Sequence, residues 1–196
     1  MIYDSIIIGK GPAGITTAVY LKRYGYEPLI IAKDGGALVH VKEIENYYGF
    51  SKITGPELLE RGIKQANELQ IPILEEEVLE ISFENVFFIT TTKGIYQAKT
   101  VVLACGASKN RYSKADKFEG VSYCATCDGF FYRKKRLALI GSGSYMAHEL
   151  SVLENITKDI TVFTDGASLT AELSEDIPVV VDKIEAIHGE ERITAI

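Results

Sequence analysis

The sequence predicts an α/β fold with two Rossmann-like domains, each a three-layer ββα arrangement. Two repeats of one local order carry this prediction. Near the amino terminus, the β-branched run at residues 6–8 leads into the segment GKGPAG at residues 9–14 and then into a helical pattern. The same order of strand, glycine-rich loop and helix recurs over residues 137–154. Such alternation favours a parallel sheet with crossover helices.

The remaining elements lie between and after these repeats. The first helical pattern ends near Tyr24, and the capping-box pattern of Thr54 and Glu57 predicts a helix that runs to about Gln70. The polar stretch 109–120 predicts a linker between a domain at 1–108 and a second domain at 121–196. Strands are predicted over residues 3–9, 29–31, 78–82, 86–92, 95–98, 100–104, 137–140 and 160–163, with short strands after residue 178.

The first glycine-rich loop has the spacing G-x-G-x-x-G between a strand and a helix, which is typical of dinucleotide binding. Gly9 permits the tight turn, Gly11 lets backbone N–H groups approach a pyrophosphate, and Gly14 lets the helix pack closely on the strand. The amino end of the helix then faces the phosphates. The acid that usually follows the second strand is not evident, because Lys33-Asp34 stands there. Recognition of the adenosine ribose is therefore unassigned.

The second loop, Gly141-Ser142-Gly143, belongs to a unit with the shape of a nucleotide-binding fold but altered chemistry. Met146 stands at the third glycine position, and we expect its bulk to obstruct close helix–strand packing or the approach of a pyrophosphate. The next strand ends in Thr164-Asp165, without the arginine that a phosphorylated ribose requires. Asp165 could instead accept a hydrogen bond from an unphosphorylated ribose.

Two of the three cysteines form the motif Cys124-Ala125-Thr126-Cys127, which Asp128 follows directly. This spacing suits a redox dithiol, because a C-x-x-C unit can lower the pKa of one thiol, and Asp128 can shuttle a proton. The alternative is half of a zinc site, but the sequence has no second C-x-x-C and its three histidines stand alone. We therefore predict no metal site. Cys105 lies in an apolar strand pattern, and we expect a packed small side chain.

Composition and charge exclude several classes of protein. The chain of 196 residues has a net charge of −6 and 46% hydrophobic residues, which is typical of a globular protein with a core. We find no apolar run long enough for a membrane span, no secretion signal and no nucleic-acid-binding motif. Three cysteines do not make a disulfide framework, so we expect a cytoplasmic protein with a catalytic dithiol. Residues 109–136 carry eight basic and three acidic side chains, and this basic segment could steer an acidic partner.

The segments GKGPAG, GGAL, IENYYGF, ACGA, YCATCDGFFYR and GSGSYM, in this order, resemble the low-molecular-weight thioredoxin reductases. The resemblance covers essentially the whole chain and implies a fold of the FAD/NAD(P)-linked disulfide reductase type. It implies that electrons pass from reduced flavin to the Cys124/Cys127 disulfide and on to thioredoxin. In this scheme Cys127 lies next to the flavin, Cys124 exchanges with thioredoxin, and Asp128 is the acid/base residue. We also expect a homodimer. The residues that the resemblance assigns to FAD are Gly9, Gly11, Pro12, Ala13, Gly14, Lys33, Gly35, Gly36, Ala37, Leu38, Asn46, Val78, Ala104 and Gly106.

Two departures from the family pattern affect the expected function. Met146 and Asp165 replace the NADPH-binding residues, which is similar to the ferredoxin-dependent flavin thioredoxin reductases, and acidic ferredoxins fit the basic segment. Family members also continue into a carboxyl-terminal FAD segment that this sequence lacks, so we expect a C-terminally truncated fold. The leading prediction is a ferredoxin-fed reductase. The alternatives are an NADH- or NADPH-fed reductase and a non-catalytic flavin-binding or regulatory protein.

Overall fold

The computed structural model describes residues 1–107 and 111–196. The chain divides into two compact units, Met1–Ser108 and Lys109–Ile196. The predicted domain boundary at residue 108 and the basic residue Lys109 lie outside the described residues. Within the described ranges, no helix has both the length and the apolar character that crossing a bilayer requires.

The first unit is built on one six-stranded sheet. Its strands are β1 (Ile2–Ile8), β2 (Pro28–Ala32), β3 (Ile73–Glu75), β4 (Val78–Phe83), β5 (Phe87–Thr91) and β6 (Ile95–Leu103), and its helices are α1 (Pro12–Arg23) and α2 (Gly55–Glu68). The strand order is β3-β2-β1-β6-β5-β4. Strands β1, β2, β3 and β6 are parallel, whereas β4, β5 and β6 form an antiparallel meander.

Strands β1 and β2 are buried on both faces, as their β-branched runs predict. Ile7 and Ile30 lie in one buried cluster with residues of α1 and α2. Ile6 and Leu29 lie in a second buried cluster with Ile89 of the meander. Helices, parallel strands and meander therefore form three layers, which confirms the predicted α/β fold.

The start of α2 confirms the predicted capping box. The Thr54 hydroxyl oxygen accepts from the Glu57 N–H at 3.3 Å, and the Thr54 N–H donates to Glu57 Oε2 at 3.0 Å. Elsewhere the strand predictions differ from the structure. The two strands predicted at 95–98 and 100–104 are the single strand β6, and β3 was not predicted because three residues give too little periodicity.

Cys105 is not packed, contrary to expectation. β6 ends at Leu103, so Cys105 lies beyond the strand, where its thiol is free and exposed. The apolar pattern that leads into it belongs to the strand and says nothing about the residues after the strand ends.

The second unit contains a three-stranded parallel sheet in which Leu137–Ile140 (β7), Ile160–Phe163 (β8) and Val179–Val180 (β9) lie side by side in this order. Its elements are α3 (Ala125–Asp128), a 3₁₀ turn (Gly129–Tyr132), β7 (Leu137–Ile140), α4 (Ser144–Leu153), β8 (Ile160–Phe163), β9 (Val179–Val180) and the hairpin of β10 (His188–Gly189) and β11 (Ile193–Ala195). Ala125 of α3, Leu150 of α4 and Val162 of β8 share one buried cluster. The short helix α3 therefore rests on the core of this unit.

The predicted linker at 109–120 is packed within the second unit over its described part. Ala115 and Phe118 are buried. Lys114 Nζ donates to the Ile184 carbonyl at 2.6 Å, and the Glu119 N–H donates to the Glu191 carbonyl at 2.7 Å. The polar composition of the stretch concealed these two apolar anchors.

Candidate active site

Three glycines shape the loop between β1 and α1. Gly9 has φ +115°, and a Cβ there would lie 2.2 Å from the carbonyl oxygen of Ala104. A Cβ at Gly14 would lie 1.9 Å from the carbonyl oxygen of Gly9. A Cβ at Gly11, in contrast, would meet no atom within 4 Å. Gly9 and Gly14 thus allow close backbone packing, and Gly11 leaves open space in front of α1.

The amino end of α1 is suited to an anion. Gly11 is its N-cap and provides no side-chain hydrogen bond, Pro12 occupies the first turn, and that turn holds no acidic residue. The N–H groups of the first turn therefore have no carboxylate competing for them, and the helix dipole favours negative charge there. The space at Gly11 and these donors together fit a dinucleotide pyrophosphate.

The predicted residues Gly35 to Leu38 lie in and directly before a second 3₁₀ turn, Gly36–His40, which packs on α2. Gly36 has φ +63°. A Cβ at Gly55 would lie 1.9 Å from the Leu38 carbonyl oxygen, and the Gly55 N–H donates to the Val41 carbonyl at 2.9 Å. Gly55 was not predicted as part of this site, although its place inside the capping-box pattern was visible. It fixes the turn against the amino end of α2.

The remaining residues predicted to bind FAD occupy separate positions in the first unit. Lys33 is exposed and pairs with Glu77 at 3.1 Å. Asn46 lies exposed in a bend, Val78 begins β4, and Gly106 follows β6 with φ +70°. Among the predicted residues, the backbone of Gly9 packs closely against that of Ala104, and the backbone of Gly14 packs closely against that of Gly9. The roles of the other residues in binding FAD stay predictions.

Cys124 and Cys127 form a disulfide, with Cα atoms 5.3 Å apart. Cys124 is the N-cap of α3 and Cys127 lies within it. The Cys127 N–H donates to the Cys124 carbonyl at 3.1 Å, and Cys124 Sγ lies 3.3 Å from the Thr126 hydroxyl. Cys127 is exposed, whereas Cys124 is half-buried. Cys127 is therefore the more exposed of the two residues, and which sulfur faces the flavin and which faces thioredoxin stays a prediction.

Asp128 is tied to the dithiol backbone through Ser122. The Ser122 hydroxyl donates to Asp128 Oδ1 at 2.5 Å, and its oxygen accepts from the Cys124 N–H at 3.1 Å. One hydroxyl therefore holds the carboxylate and the first cysteine together. This arrangement holds a carboxylate, a type of group that can transfer protons, next to the dithiol. Sequence reasoning did not identify Ser122.

Glu149 was also missed. Its carboxylate is buried, with 8% of the residue exposed, and Oε2 accepts from the Ala125 N–H at 2.5 Å. Glu149 shares the inward side of α4 with Met146, Leu150 and Leu153. The sequence did contain a signal for Glu149, because it stands at a core position in the apolar pattern of α4. A buried carboxylate needs a hydrogen-bond partner.

Met146 does not obstruct helix–strand packing, so that expectation is wrong. Its side chain lies in the core of the second unit with 4% exposed. A Cβ at Gly141 would lie 2.8 Å from Met146 Cβ. Because Gly141 has no side chain, the loop after β7 can pack closely against Met146 of α4. In the usual pattern, a glycine at position 146 would allow this close packing.

Asp165 already has partners within its own unit. Its Oδ1 accepts from the Ile184 N–H at 2.7 Å and lies 3.9 Å from Lys114 Nζ, and its Oδ2 accepts from the Tyr112 hydroxyl at 2.9 Å. The Ile184 N–H and the Tyr112 hydroxyl lower the pKa of Asp165. Burial, followed by the bond to Asp165, raises the pKa of Tyr112 to about 12. Both oxygens at the predicted ribose position are thus engaged.

Some of the positive charge of the basic segment is neutralised locally. Arg111 pairs with Asp116 at 3.2 Å and Arg136 with Asp159 at 3.1 Å. Lys114 donates to a backbone carbonyl and lies near a carboxylate. Among residues 111–136, the exposed basic side chains outside these ion pairs are Lys117, Arg133, Lys134 and Lys135. The available positive charge is smaller than the sequence count suggests.

A glycine-rich loop that fits a pyrophosphate on one Rossmann-like unit, together with a C-x-x-C disulfide on the other, is typical of the class of flavin-linked disulfide oxidoreductases. The family described as pyridine nucleotide-disulphide oxidoreductase matches residues 3–189. The chain belongs to this family. Its similarity to the proteins described next places it, within the family, among the low-molecular-weight thioredoxin reductases.

A thioredoxin reductase from Buchnera aphidicola subsp. Acyrthosiphon pisum is 36% identical over 189 residues, covering 92% of this chain and 57% of that protein. The crystal structure of thioredoxin reductase from Streptococcus pyogenes has a TM-score of 0.82 and 30% identity, covering 97% of this chain and 67% of the other. Thioredoxin reductase from Giardia duodenalis, with a TM-score of 0.86 and 24% identity, supports the fold. The chain therefore spans a little over half the length of the curated relative. Proteins of this family are FAD-binding flavoproteins.

Proposed function

We propose that this chain carries the FAD-binding and dithiol machinery of a thioredoxin-disulfide reductase. The observation that supports it best is the Cys124–Cys127 disulfide, held at α3 by Ser122 and followed by Asp128. The loop at Gly9–Gly14 would hold the FAD pyrophosphate, and its open space at Gly11 supports this assignment. FAD supplies two-electron storage between the electron donor and the disulfide.

The chemistry proposed for the chain is a reduction followed by an exchange. Two electrons and two protons convert the Cys124–Cys127 disulfide into a dithiol. One of the two sulfurs, as a thiolate, then attacks the thioredoxin disulfide and forms a mixed disulfide, and the other sulfur resolves it. Reduced thioredoxin leaves and the Cys124–Cys127 disulfide is restored. Asp128 gives or takes the proton at the sulfurs, and Ser122 holds its carboxylate in place.

Ferredoxin is the electron donor that we propose. Asp165 has both oxygens engaged by Tyr112 and Ile184, so a nucleotide ribose has to displace bonds already made. The exposed charges at Lys117 and Arg133 to Lys135 suit an acidic carrier. Two reduced ferredoxins deliver the two electrons that one disulfide needs. We also propose that the protein is a cytoplasmic homodimer, which light scattering after gel filtration tests for its oligomeric state.

The experiment that tests the function compares three donors. FAD-loaded protein is mixed without oxygen with reduced ferredoxin, NADH or NADPH, and loss of flavin absorbance is followed before and after thioredoxin is added. Reduction by ferredoxin alone, followed by thioredoxin-dependent reoxidation, supports the proposal. Rapid reduction of the flavin by NADPH or NADH contradicts ferredoxin as the donor and identifies a nucleotide-dependent reductase. A flavin that none of the three donors reduces favours a non-catalytic flavin-binding protein.

The identity of the flavin is tested separately. The loop addresses a pyrophosphate, which FAD has and FMN lacks. Flavin released by heat from the loaded protein is compared with standards by chromatography. Recovery of FMN contradicts the assignment of Gly9–Gly14.

A further inference from the structure

No acid directly follows the second strand of the first unit, where dinucleotide-binding folds place one. β2 ends at Ala32, and the next residue, Lys33, points its charge at Glu77. Asp34 Oδ1 accepts from the Gly36 N–H of its own loop at 2.8 Å. In this fold the adenosine ribose lies over the end of the second strand, where an acid accepts from its 2′-hydroxyl.

The structure provides an acid at this place from another strand. Glu75 is the last residue of β3 and pairs in register with Ala32, the last residue of β2. Its Oε1 lies 2.5 Å from Nζ of Lys10, the second residue of the phosphate loop. Because β2 lies between β1 and β3 in the sheet, this ion pair spans the carboxyl end of β2.

Burial differs sharply across the Lys10–Glu75 pair. The Lys10 side chain is 8% exposed and the Glu75 side chain is 72% exposed. The lysine is therefore covered and positions the carboxylate, whereas the carboxylate faces solvent and its Oε2 has no hydrogen bond among the described residues. A carboxylate can accept several hydrogen bonds, so one bond to Lys10 leaves capacity for a hydroxyl donor. The bond to Lys10 also lowers the pKa of Glu75, which keeps the carboxylate ionised at neutral pH.

We propose that Glu75, held by Lys10, accepts a hydrogen bond from the adenosine ribose of the bound dinucleotide, in place of the acid missing after β2. This inference rests on the proposed binding of FAD. It adds Glu75 as a binding residue and Lys10 as the residue that positions it.

The test measures how strongly each protein distinguishes FAD from an analogue whose adenosine ribose lacks the 2′-hydroxyl. Dissociation constants are determined by flavin fluorescence for the unaltered chain, for Glu75→Ala and for Glu80→Ala. Glu80 lies exposed on β4, at the opposite edge of the sheet, and serves as the matched control for loss of one carboxylate. Each ratio is taken within one protein, so a change in overall stability does not mimic the effect.

The unaltered chain and Glu80→Ala are expected to bind FAD about tenfold or more tightly than the analogue, the effect of one charge-assisted hydrogen bond. Glu75→Ala is expected to bind both flavins with nearly equal affinity. A ratio in Glu75→Ala equal to that of the unaltered chain overturns the role of Glu75 and leaves the assignment of FAD intact. If the unaltered chain binds neither flavin, the assignment of FAD fails as well, and the two failures are distinguished.

Discussion

The carboxylate of Glu149 accepts a hydrogen bond from the backbone N–H of Ala125 at 2.5 Å, across 24 residues of sequence. Ala125 is the first residue of α3, so this N–H has no partner within its own helix. Glu149 thus satisfies a buried donor directly after Cys124 and joins α4 to the dithiol helix. This bond therefore links α3, which carries the dithiol, to α4, which follows the second glycine-rich loop.

Removing the Glu149 carboxylate is expected to destabilise the second unit. Glu149→Ala leaves a buried N–H unsatisfied, at a cost of about 1–3 kcal/mol in the free energy of unfolding. Glu149→Gln keeps an acceptor and should cost less. Urea unfolding followed by circular dichroism, with hydrogen exchange at the Ala125 amide, measures both effects. The exposed Glu175→Ala is the control, and an Ala125 amide equally protected in all proteins contradicts the anchoring role.

Gly11 and Gly14 are expected to respond oppositely to alanine. Gly14→Ala brings a Cβ within 1.9 Å of a carbonyl oxygen, and such overpacking costs about 1–3 kcal/mol. At Gly11, φ is −72° and an added Cβ meets no atom within 4 Å, so Gly11→Ala should leave the free energy of unfolding unchanged. The affinity for FAD should fall about tenfold or more, because the added Cβ occupies the space proposed for the pyrophosphate. Thermal unfolding and flavin titration separate the two effects. Unchanged FAD affinity in Gly11→Ala argues against the pyrophosphate site.

The two cysteines are expected to differ in trapping thioredoxin. Because Cys127 is exposed and Cys124 is half-buried, Cys124→Ser should accumulate a stable mixed disulfide through Cys127, since the resolving thiol is gone. Both serine variants should lose disulfide reduction. Non-reducing electrophoresis after mixing with a thioredoxin that lacks its own resolving cysteine measures the adduct. A stable adduct in Cys127→Ser instead restores the division that the family resemblance implies.

Reversing exposed positive charge is expected to slow reduction by ferredoxin. The double variant Arg133→Glu, Lys134→Glu should lower the second-order rate about tenfold at low salt, because steering of an acidic carrier is lost. The difference should shrink as salt rises, since exposed charges are screened beyond about 10 Å at 0.1 M. Stopped-flow measurement of flavin absorbance at several salt concentrations gives these rates. Arg23→Glu, on α1 of the first unit, is the control, and an equal effect there would indicate non-specific charge dependence.

The Tyr112–Asp165 bond predicts a defined loss of stability at high pH. The pKa of Tyr112 is raised to about 12, above its value of about 10 in an unfolded chain. Its contribution to the free energy of unfolding is therefore fully present below about pH 10 and is lost as pH rises to about 12. The stability difference between the unaltered chain and Tyr112→Phe, from thermal unfolding at a series of pH values, should shrink over this window. A difference that stays constant through pH 12 contradicts the prediction.

Local patterns predicted the elements that local forces determine. The strand before Gly9, the capping box at Thr54 and the strands at 137–140 and 160–163 depend on neighbouring residues, and the structure has them where predicted or within a residue or two. α3 was not predicted, since a four-residue helix has no apolar periodicity and depends on tertiary contacts.

Two carboxylates, one overlooked in the sequence and one assigned to a ribose, form their bonds with residues distant in the chain. Glu75 meets Lys10 across 65 residues of sequence, and Asp165 meets Tyr112 across 53. A sequence pattern shows that an acid is present but does not show whether its oxygens are already engaged. For this reason Asp165 was predicted as an acceptor for ribose, whereas Glu75 was not singled out at all.

The position of Cys105 offers a practical means of observing the nucleotide loop. The chain has three cysteines, and two of them are closed in a disulfide, so the exposed Cys105 is the single reactive thiol of the oxidised protein. It follows Ala104, whose carbonyl oxygen would lie 2.2 Å from a Cβ placed on Gly9. A maleimide fluorophore therefore attaches there without mutagenesis, and its emission can report flavin binding in a protein that contains no tryptophan.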